Sequence, residues 1–424
     1  MTPKEKLQAH SAEFVRDLIT ISPTVTFAVG YGASNVTIIE GDTSLIVVDT
    51  LESTGAAKEL LADVRQRSSK PISTIIYTHS HRDHVSGAIV FAEGGTPDIL
   101  TRPAETNMLG APQVAKISKM RARRQFAIGE PSWVRINLGL GPGERSLDGL
   151  GAGAVPANVM ITGERETHII DGVTLEFVAA PGETPDTMLV WLPDQRILIS
   201  ADNYYKSFPN LYPIRGSAYR DVALWVDSLE TMLSFEADVL LPGHSRPLQG
   251  ADHIQKVLTD YRDGIRHVLD ETLAGMNKGM TPDQLAETIT LPPHLADNPY
   301  LQPYYGCVPW SVRAIFTGYL GWFDGNPTNM FPLPQREESA EMVALVGSST
   351  ALLARAEDAL ANDKHQWAMQ LVDHLLILDE HTQRATEIKI AAMTALAEQQ
   401  INATARHYYL SYASEMRKSN QSVR

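Results

Sequence analysis

Strand-forming and helix-forming patterns alternate along the first 240 residues of this chain and then give way to helical patterns alone. Apolar positions at helical spacing (Leu7, Phe14, Leu18) predict an amino-terminal helix over residues 3–19. β-Branched runs over 35–40 and 44–49 flank Gly41-Asp42 and predict a hairpin. A helix is expected over 56–67. Ser73-Thr74-Ile75-Ile76-Tyr77 has no helical period and reads as a buried strand that stops at Thr78, completing a β-β-α-β opening. Further on, residues 167–170 and 173–178 flank the turn Asp171-Gly172 as a second hairpin. Strands are expected over 188–192 and 196–200, a helix over 221–235 and a short strand over 238–241. Helices are then expected over 341–361, 366–378, 385–399 and 404–416, with Trp367, Leu371, Leu375 and Leu378 on one apolar face.

The polar residues that interrupt this pattern gather where predicted strands end. His79, His81, Asp83 and His84 crowd into six positions after the 73–77 strand, at the carboxyl end where open α/β sheets place their ligand sites. A loop there lets His79 and His81 converge on one cation while Asp83 and His84 turn towards a second. Imidazole and carboxylate favour zinc, manganese or iron, and the lack of nearby thiolates argues against a structural cysteine site. Asp49, at the end of the preceding strand, is a candidate to support that loop through a hydrogen bond. A helix starting near Ser86 would aim its positive end at the same place. Three later strand ends also carry polar residues: Pro181-Gly182-Glu183-Thr184-Pro185-Asp186, Ala201-Asp202-Asn203 and Pro242-Gly243-His244-Ser245.

Composition narrows the partners. At about 100–200 residues per domain, 424 residues allow two to four domains, and 43% apolar content is ordinary for a globular protein. Acidic side chains outnumber basic ones 50 to 36, a net charge of −14, which argues against nucleic acid or an anionic membrane surface as partner. No run approaches the ~18 apolar residues of a membrane span. Cys307 is the only cysteine, and the start of the chain carries no apolar signal region, so a cytoplasmic protein is expected. Against the acidic background, residues 119–124 form a basic stretch: a solvated helix face, or arginines that reach an anionic substrate. The glycine-rich 137–153 segment lacks a phosphate-loop pattern and reads as a long irregular loop that forms one wall of a pocket.

Taken in order, the strand-end H-x-H-x-D-H, the residue after Pro181-Gly182, the acid after Ser200-Ala201 and the Pro242-Gly243-His244 turn resemble the metallo-β-lactamase superfamily over roughly residues 20–265. Most members carry histidine after the second motif's glycine. Glu183 stands there instead, similar to the type III alkyl sulfatases. Tyr319-Leu320-Gly321-Trp322-Phe323-Asp324-Gly325-Asn326-Pro327 resembles the opening of that branch's helical dimerisation domain.

The resemblance implies an α/β fold, an αββα sandwich over 1–270, followed by an all-α dimerisation-like domain over 271–424, without the sterol-carrier-like domain of longer relatives. It implies two zinc ions (iron or manganese being alternatives), with His79, His81 and Glu183 on one, Asp83, His84 and His244 on the other, and Asp202 bridging. Asp83 and Asp202 would be catalytic, and a metal-bridging hydroxide would attack a sulfate ester in a homodimeric hydrolase. Arg215, in Arg215-Gly216, and Arg124 would bind the anion. Departures from the branch are Ile128 and Glu130, where tyrosine and asparagine are expected, Thr187 in place of a second acid, and Asp202 where the bridge is typically glutamate. They leave open a hydrolase of another anionic ester (a carboxylic ester, lactone or phosphoester) and, from a different class, a di-iron redox or binding protein.

Overall fold

The computed structural model describes residues 1–103 and 114–422. Two sheets form its centre. In the first, β1 (Asp17–Ser22), β2 (Val25–Val29), β3 (Val36–Glu40), β4 (Leu45–Val48), β5 (Ile72–Ile76), β6 (Asp98–Thr101) and β7 (Val159–Met160) lie side by side in sequence order. Pairing is antiparallel up to β4 and parallel from β4 to β7. The second holds β8 (Arg165–Ile170), β9 (Val173–Ala179), β10 (Met188–Leu192), β11 (Ile197–Ala201), β12 (Val239–Pro242) and β13 (Leu248–Gln249). Only β11 and β12 run parallel there, joined by a crossover containing the helix Val222–Leu233.

The two-residue period of the strands sorts their side chains into separate cores. Ile46 and Val48 of β4, Val190 of β10 and Ile199 of β11 meet between the sheets. Leu45 and Val47, one position off, pack outward with Leu60 and Val64 of the helix Thr54–Arg65. Leu189 and Leu198 face the other way, onto Trp225 and Leu229 of Val222–Leu233. Four layers result, αββα, as expected from the sequence. Each fully buried leucine, isoleucine or valine here contributes about 1.5–3 kcal/mol.

Three local expectations are corrected. The amino-terminal helix is Pro3–His10, and after a 3₁₀ turn the chain enters β1, where Ile19 and Ile21 pack on the inter-sheet core. Alternating β-branched residues prevail there over the helical spacing. The helix expected from Ser86 is two single turns, Arg82–Val85 and Ala88–Phe91. The helix expected over 341–361 breaks at Gly347, whose φ of 107° ends Gln335–Val346, and Ser348 caps Ser349–Ala361 through the Ala351 N–H at 3.1 Å.

Beyond the sandwich the chain is helical. Ala251–Asn277 runs through position 270, and its Leu258, Ile265 and Leu269 share one core with Trp225 of the sandwich and Val312 and Ile315 of Val308–Leu320. Gln335–Val346, Ser349–Ala361, His365–Leu378 and Thr382–Glu398 form a separate small core around Leu352, Leu371 and Leu375. Ala403–Ser422 returns to the body: the His407 imidazole meets the Gln125 carbonyl at 3.0 Å.

Burial pushes His407 down to about 4, and does the same to His10, which stacks on Tyr304 at 3.8 Å. The unfolded chain protonates both near 6.5, the folded chain only near 4, so their stabilising contribution is complete above about pH 6.5 and is lost as pH falls towards 4. The loss is about 1.4 kcal/mol per histidine per pH unit. Melting temperatures taken from pH 7.5 to 5 are expected to fall less steeply in His10→Asn than in the parent chain. Parallel slopes would remove His10 from this account.

Candidate metal centre

Each candidate ligand sits where a strand runs out. β4 ends at Asp49, β5 at the 78–84 loop, β11 at Asp202 and β12 at His244, while Glu183 lies on the loop from β9 to β10. Several of these ends hold non-glycine residues at positive φ, namely Asp49 (62°), Ala201 (50°) and Ser245 (68°), a conformation that costs about 1–3 kcal/mol each and persists where surrounding contacts impose it. Gly243 is required by close approach: a Cβ there would lie 2.2 Å from Asp202 Oδ1.

All seven predicted ligands converge. Their donor atoms form three overlapping groups, His79–His84–Asp202, Asp83–His84–His244 and His81–Glu183–Asp202, each with atoms within 4.8 Å of one another. Asp202 Oδ2 lies 3.1 Å from His244 Nε2, 3.4 Å from His84 Nε2 and 3.6 Å from His79 Nε2. Glu183 Oε1 is 3.7 Å from His81 Nδ1, and Asp83 Oδ2 is 3.6 Å from His244 Nε2.

The outward-facing nitrogens are fixed from behind. His84 Nδ1 meets Asp49 Oδ2 at 2.7 Å, and that carboxylate also accepts from the Thr78 N–H and hydroxyl at 2.9 Å. His244 Nδ1 donates to the Ala33 carbonyl at 2.7 Å. In both rings this leaves Nε2 as the lone-pair donor facing the cluster. His84 Nε2, Glu183 Oε2 and Asp202 Oδ1 are buried with no hydrogen-bond partner among the described residues. Buried polar atoms left this way are costly, and cation coordination satisfies them. Nitrogen and oxygen donors without thiolate suit a borderline or hard divalent cation.

Electrostatics couple the cluster tightly. Burial pulls His79 and His81 below their ordinary range. It opposes charge on His84 and His244 too, yet Asp202 overrides it, lifting His84 well above and His244 to about 9. Burial raises Glu183 to about 7, with Arg220 working against it. Asp202 resists its own burial through His244, His84 and His79 and stays well below the carboxylate range, and Asp83 is lowered by His84 and His244. Ligation needs neutral imidazole and ionised carboxylate, so a cation entering such a set releases protons.

A cavity of about 210 Å³ opens beside this cluster, lined by His81, Glu183, Pro185, Tyr219, Arg220 and Leu224 among others. Arg220 was not anticipated from the sequence. It is buried, and its guanidinium forms an ion pair with Glu183 Oε1 at 2.6 Å and donates to the Asn210 carbonyl at 2.7 Å. Arg215 lies close enough to Glu183 and Asp83 to feel both carboxylates, and one of its guanidinium nitrogens is buried with no hydrogen-bond partner among the described residues.

Arg124 is elsewhere. Its guanidinium grips Glu415 at 2.6 and 3.0 Å and lies 4.4 Å from the Tyr412 ring centre, joining the helix Ala115–Gln125 to Ala403–Ser422. This interhelical clasp engages the guanidinium that the resemblance offered for binding the anion, and Arg124 is not among the residues lining the cavity. The glycine-rich segment also departs from expectation: it is irregular, but none of its residues lines the cavity. Glu130, likewise outside the cavity lining, is buried in a tight turn whose N–H bonds the Ala127 carbonyl.

Comparison with known proteins places both halves of this architecture. The metallo-beta-lactamase superfamily model matches residues 29–244, and the alkyl sulfatase dimerisation model matches 281–419. A linear primary-alkylsulfatase of Pseudomonas sp. (strain ATCC 19151) is 36% identical over 389 residues, covering 89% of this chain and 73% of the relative. An alkyl/aryl-sulfatase of Saccharomyces cerevisiae is 34% identical over 417 residues, 95% of this chain, which spans 64% of that relative's length. The solved stereoselective inverting sec-alkylsulfatase Pisa1 from Pseudomonas sp. superposes with a TM-score of 0.86 at 30% identity, over 95% of this chain and 66% of that one. Sandwich, ligand-bearing strand ends and helical region together thus show that the chain belongs to the alkylsulfatase family of the metallo-beta-lactamase superfamily.

Proposed function

We propose that this chain is a binuclear zinc hydrolase of sulfate monoesters. The observation that carries the reading is the shared Asp202 carboxylate, which belongs to two of the three ligand groups, beside a cavity with a buried guanidinium at its wall. Two zinc ions held there would activate a shared water as the nucleophile and offset charge that develops on the sulfate. His79, His81 and Glu183 would hold one, and Asp83, His84 and His244 the other.

Formal charge favours two cations over one. Asp49, Asp83, Glu183, Asp186 and Asp202 are buried or partly buried around the imidazoles, and Arg215 and Arg220 are the guanidiniums felt there. Five carboxylates exceed two guanidiniums by three charges. One divalent cation would leave the site negative, repelling an anionic ester; two would leave it positive by one, and neutral once the shared water has lost its proton, so that an anionic ester is not repelled. Arg220 at the cavity wall and Arg215, which feels Glu183 and Asp83, would supply donors for its oxygens.

The direct test measures metal content and sulfate release across alkyl sulfates of different chain length. Two zinc equivalents with sulfate release support the reading. Two equivalents without release from any sulfate ester would sink the sulfatase and leave a hydrolase of another anionic ester. Bound iron with visible absorbance would sink the hydrolase. Within the same assay, Arg215→Ala is expected to raise KM about 10–100-fold with zinc retained, the scale of a lost charge-assisted hydrogen bond. An unchanged KM would exclude Arg215 from the site.

The partner that fits the family's dimerisation model is a second copy of the chain. Among the described residues no helix is long and apolar enough to cross a membrane.

A further inference from the structure

The loop between β2 and β3 carries none of the ligands, yet it binds the backbone of two ligand-bearing segments. The Ser34 hydroxyl donates to the Asp83 carbonyl at 2.5 Å. The Asn35 N–H donates to the Gly243 carbonyl at 2.7 Å, and its side-chain amide donates to the carbonyls of Pro242 (3.0 Å) and Ser245 (2.7 Å). The Ala33 carbonyl accepts His244 Nδ1. These contacts fall on Asp83 and His244, two members of one ligand group, and none falls on His79, His81 or Glu183.

Behind the loop stands a buried ion pair. Glu52 is 4% exposed, accepting the Ala33 N–H at 2.8 Å through one oxygen and Arg145 Nε at 2.6 Å through the other. The loop meets Glu52 closely: a Cβ at Gly32 would sit 2.4 Å from the carboxylate. Arg145 comes from the glycine-rich segment, so the stretch that does not line the cavity reaches the metal centre by this route.

We propose that Glu52, held by Arg145, is a positioning residue: by fixing the Ala33 backbone it sets the orientation and tautomer of His244, and so tunes cation affinity at the Asp83–His84–His244 group alone. The inference rests on the binuclear reading above. Physically, among the described residues the carboxylate is the acceptor for the Ala33 N–H, and the carbonyl of the same residue holds His244 Nδ1–H, leaving Nε2 for the cation. Removing the acceptor frees the loop to shift, and the imidazole loses its partner. Among the described residues, His79, His81 and Glu183, proposed for the other cation, make no hydrogen bond to this loop.

The test uses the full chain stripped of metal and titrated with cobalt(II), whose ligand-field absorption reports each equivalent as it binds. Glu52→Leu removes both the acceptor and the ion pair. Glu52→Gln removes the ion pair and keeps an acceptor for Ala33. In Glu52→Leu the first equivalent is expected to bind as in the parent chain and the second to weaken about 10–100-fold, with an altered spectrum for that step. Glu52→Gln is expected to keep the second equivalent within a few-fold. Melting of the metal-free variants should drop in both, because both lose the buried pair. Two results would overturn the proposal: a second equivalent that binds Glu52→Leu as tightly as the parent, or losses that follow the drop in melting temperature in both variants and for both equivalents. A parent chain that takes up fewer than two equivalents would overturn the binuclear reading itself, a different outcome from either of these.

Discussion

Asp202→Ala is expected to lose both metal equivalents and to lower sulfate release about 10³-fold or more. Its carboxylate is shared: it joins His79 and His84 in one ligand group and His81 and Glu183 in another, and among the described residues its Oδ2 is the carboxylate oxygen nearest the Nε2 atoms of His79, His84 and His244. His84 also belongs to two groups, so Asp202 is the one carboxylate shared between groups among the described residues. Asp83, by contrast, belongs to a single group with His84 and His244, so Asp83→Ala should lose about one equivalent while activity still collapses. Metal-to-protein ratios after dialysis of the two variants separate these outcomes. An Asp202→Ala protein that kept two equivalents would show that the carboxylate is not shared. Misfolding is controlled by Asp202→Asn, which keeps the shape and one ligating oxygen and is expected to retain more metal than the alanine variant.

The candidate ligands are legible because their positions obey a local rule. An apolar strand that stops at a cluster of imidazoles and carboxylates needs no tertiary knowledge to be noticed, and Glu183, Asp202 and His244 repeat the rule at later strand ends. What holds them was less legible. Asp49 could be read as support because it too ends a strand, and it does bond His84. Arg220 follows no strand, and its value comes from folding back 2.6 Å from Glu183, which spacing along the chain does not reveal. Arg124 shows the converse: a basic run advertises charge, but whether a guanidinium faces substrate or a distant glutamate depends on where Ala403–Ser422 docks, and here it pairs with Glu415. Ala33 and Glu52 were invisible in principle, since one acts through its backbone and the other looks like any acid after a strand. β1 was misread because Leu7, Phe14 and Leu18 mimic a helical stripe, while the inter-sheet core selects the alternation of Ile19 and Ile21.

Replacing both Trp322 and Phe331 by aspartate is expected to convert the proposed homodimer to monomers at micromolar concentration. The segment that leaves Val308–Leu320 and leads to Gln335–Val346 is rich in apolar side chains yet lies open: Leu320 is 61% exposed, Trp322 74%, Met330 50%, Phe331 94% and Leu333 54%. Single exposed apolar residues are common, but five within fourteen positions mark a surface made for contact. The segment falls inside the region matched by the alkyl sulfatase dimerisation model, 281–419, which makes a second copy the fitting occupant. Tryptophan and phenylalanine bury about 150–250 Å² each, worth about 4–6 kcal/mol apiece at ~25 cal/mol per Å² before the cost of association. A twofold interface loses each contact twice, so two charges per chain should raise the dimer dissociation constant at least about 10³-fold. Light scattering coupled to size exclusion would read the mass directly. Zinc content should stay at the parent's level, because the segment touches no ligand: its nearest approach to the cavity in these contacts is Tyr319, edge-on to Tyr219 with ring centres 6.3 Å apart. A variant that keeps the parent's mass would place the dimer contact on another face of the helical region, and one that loses zinc as well would tie the ligand loops to assembly.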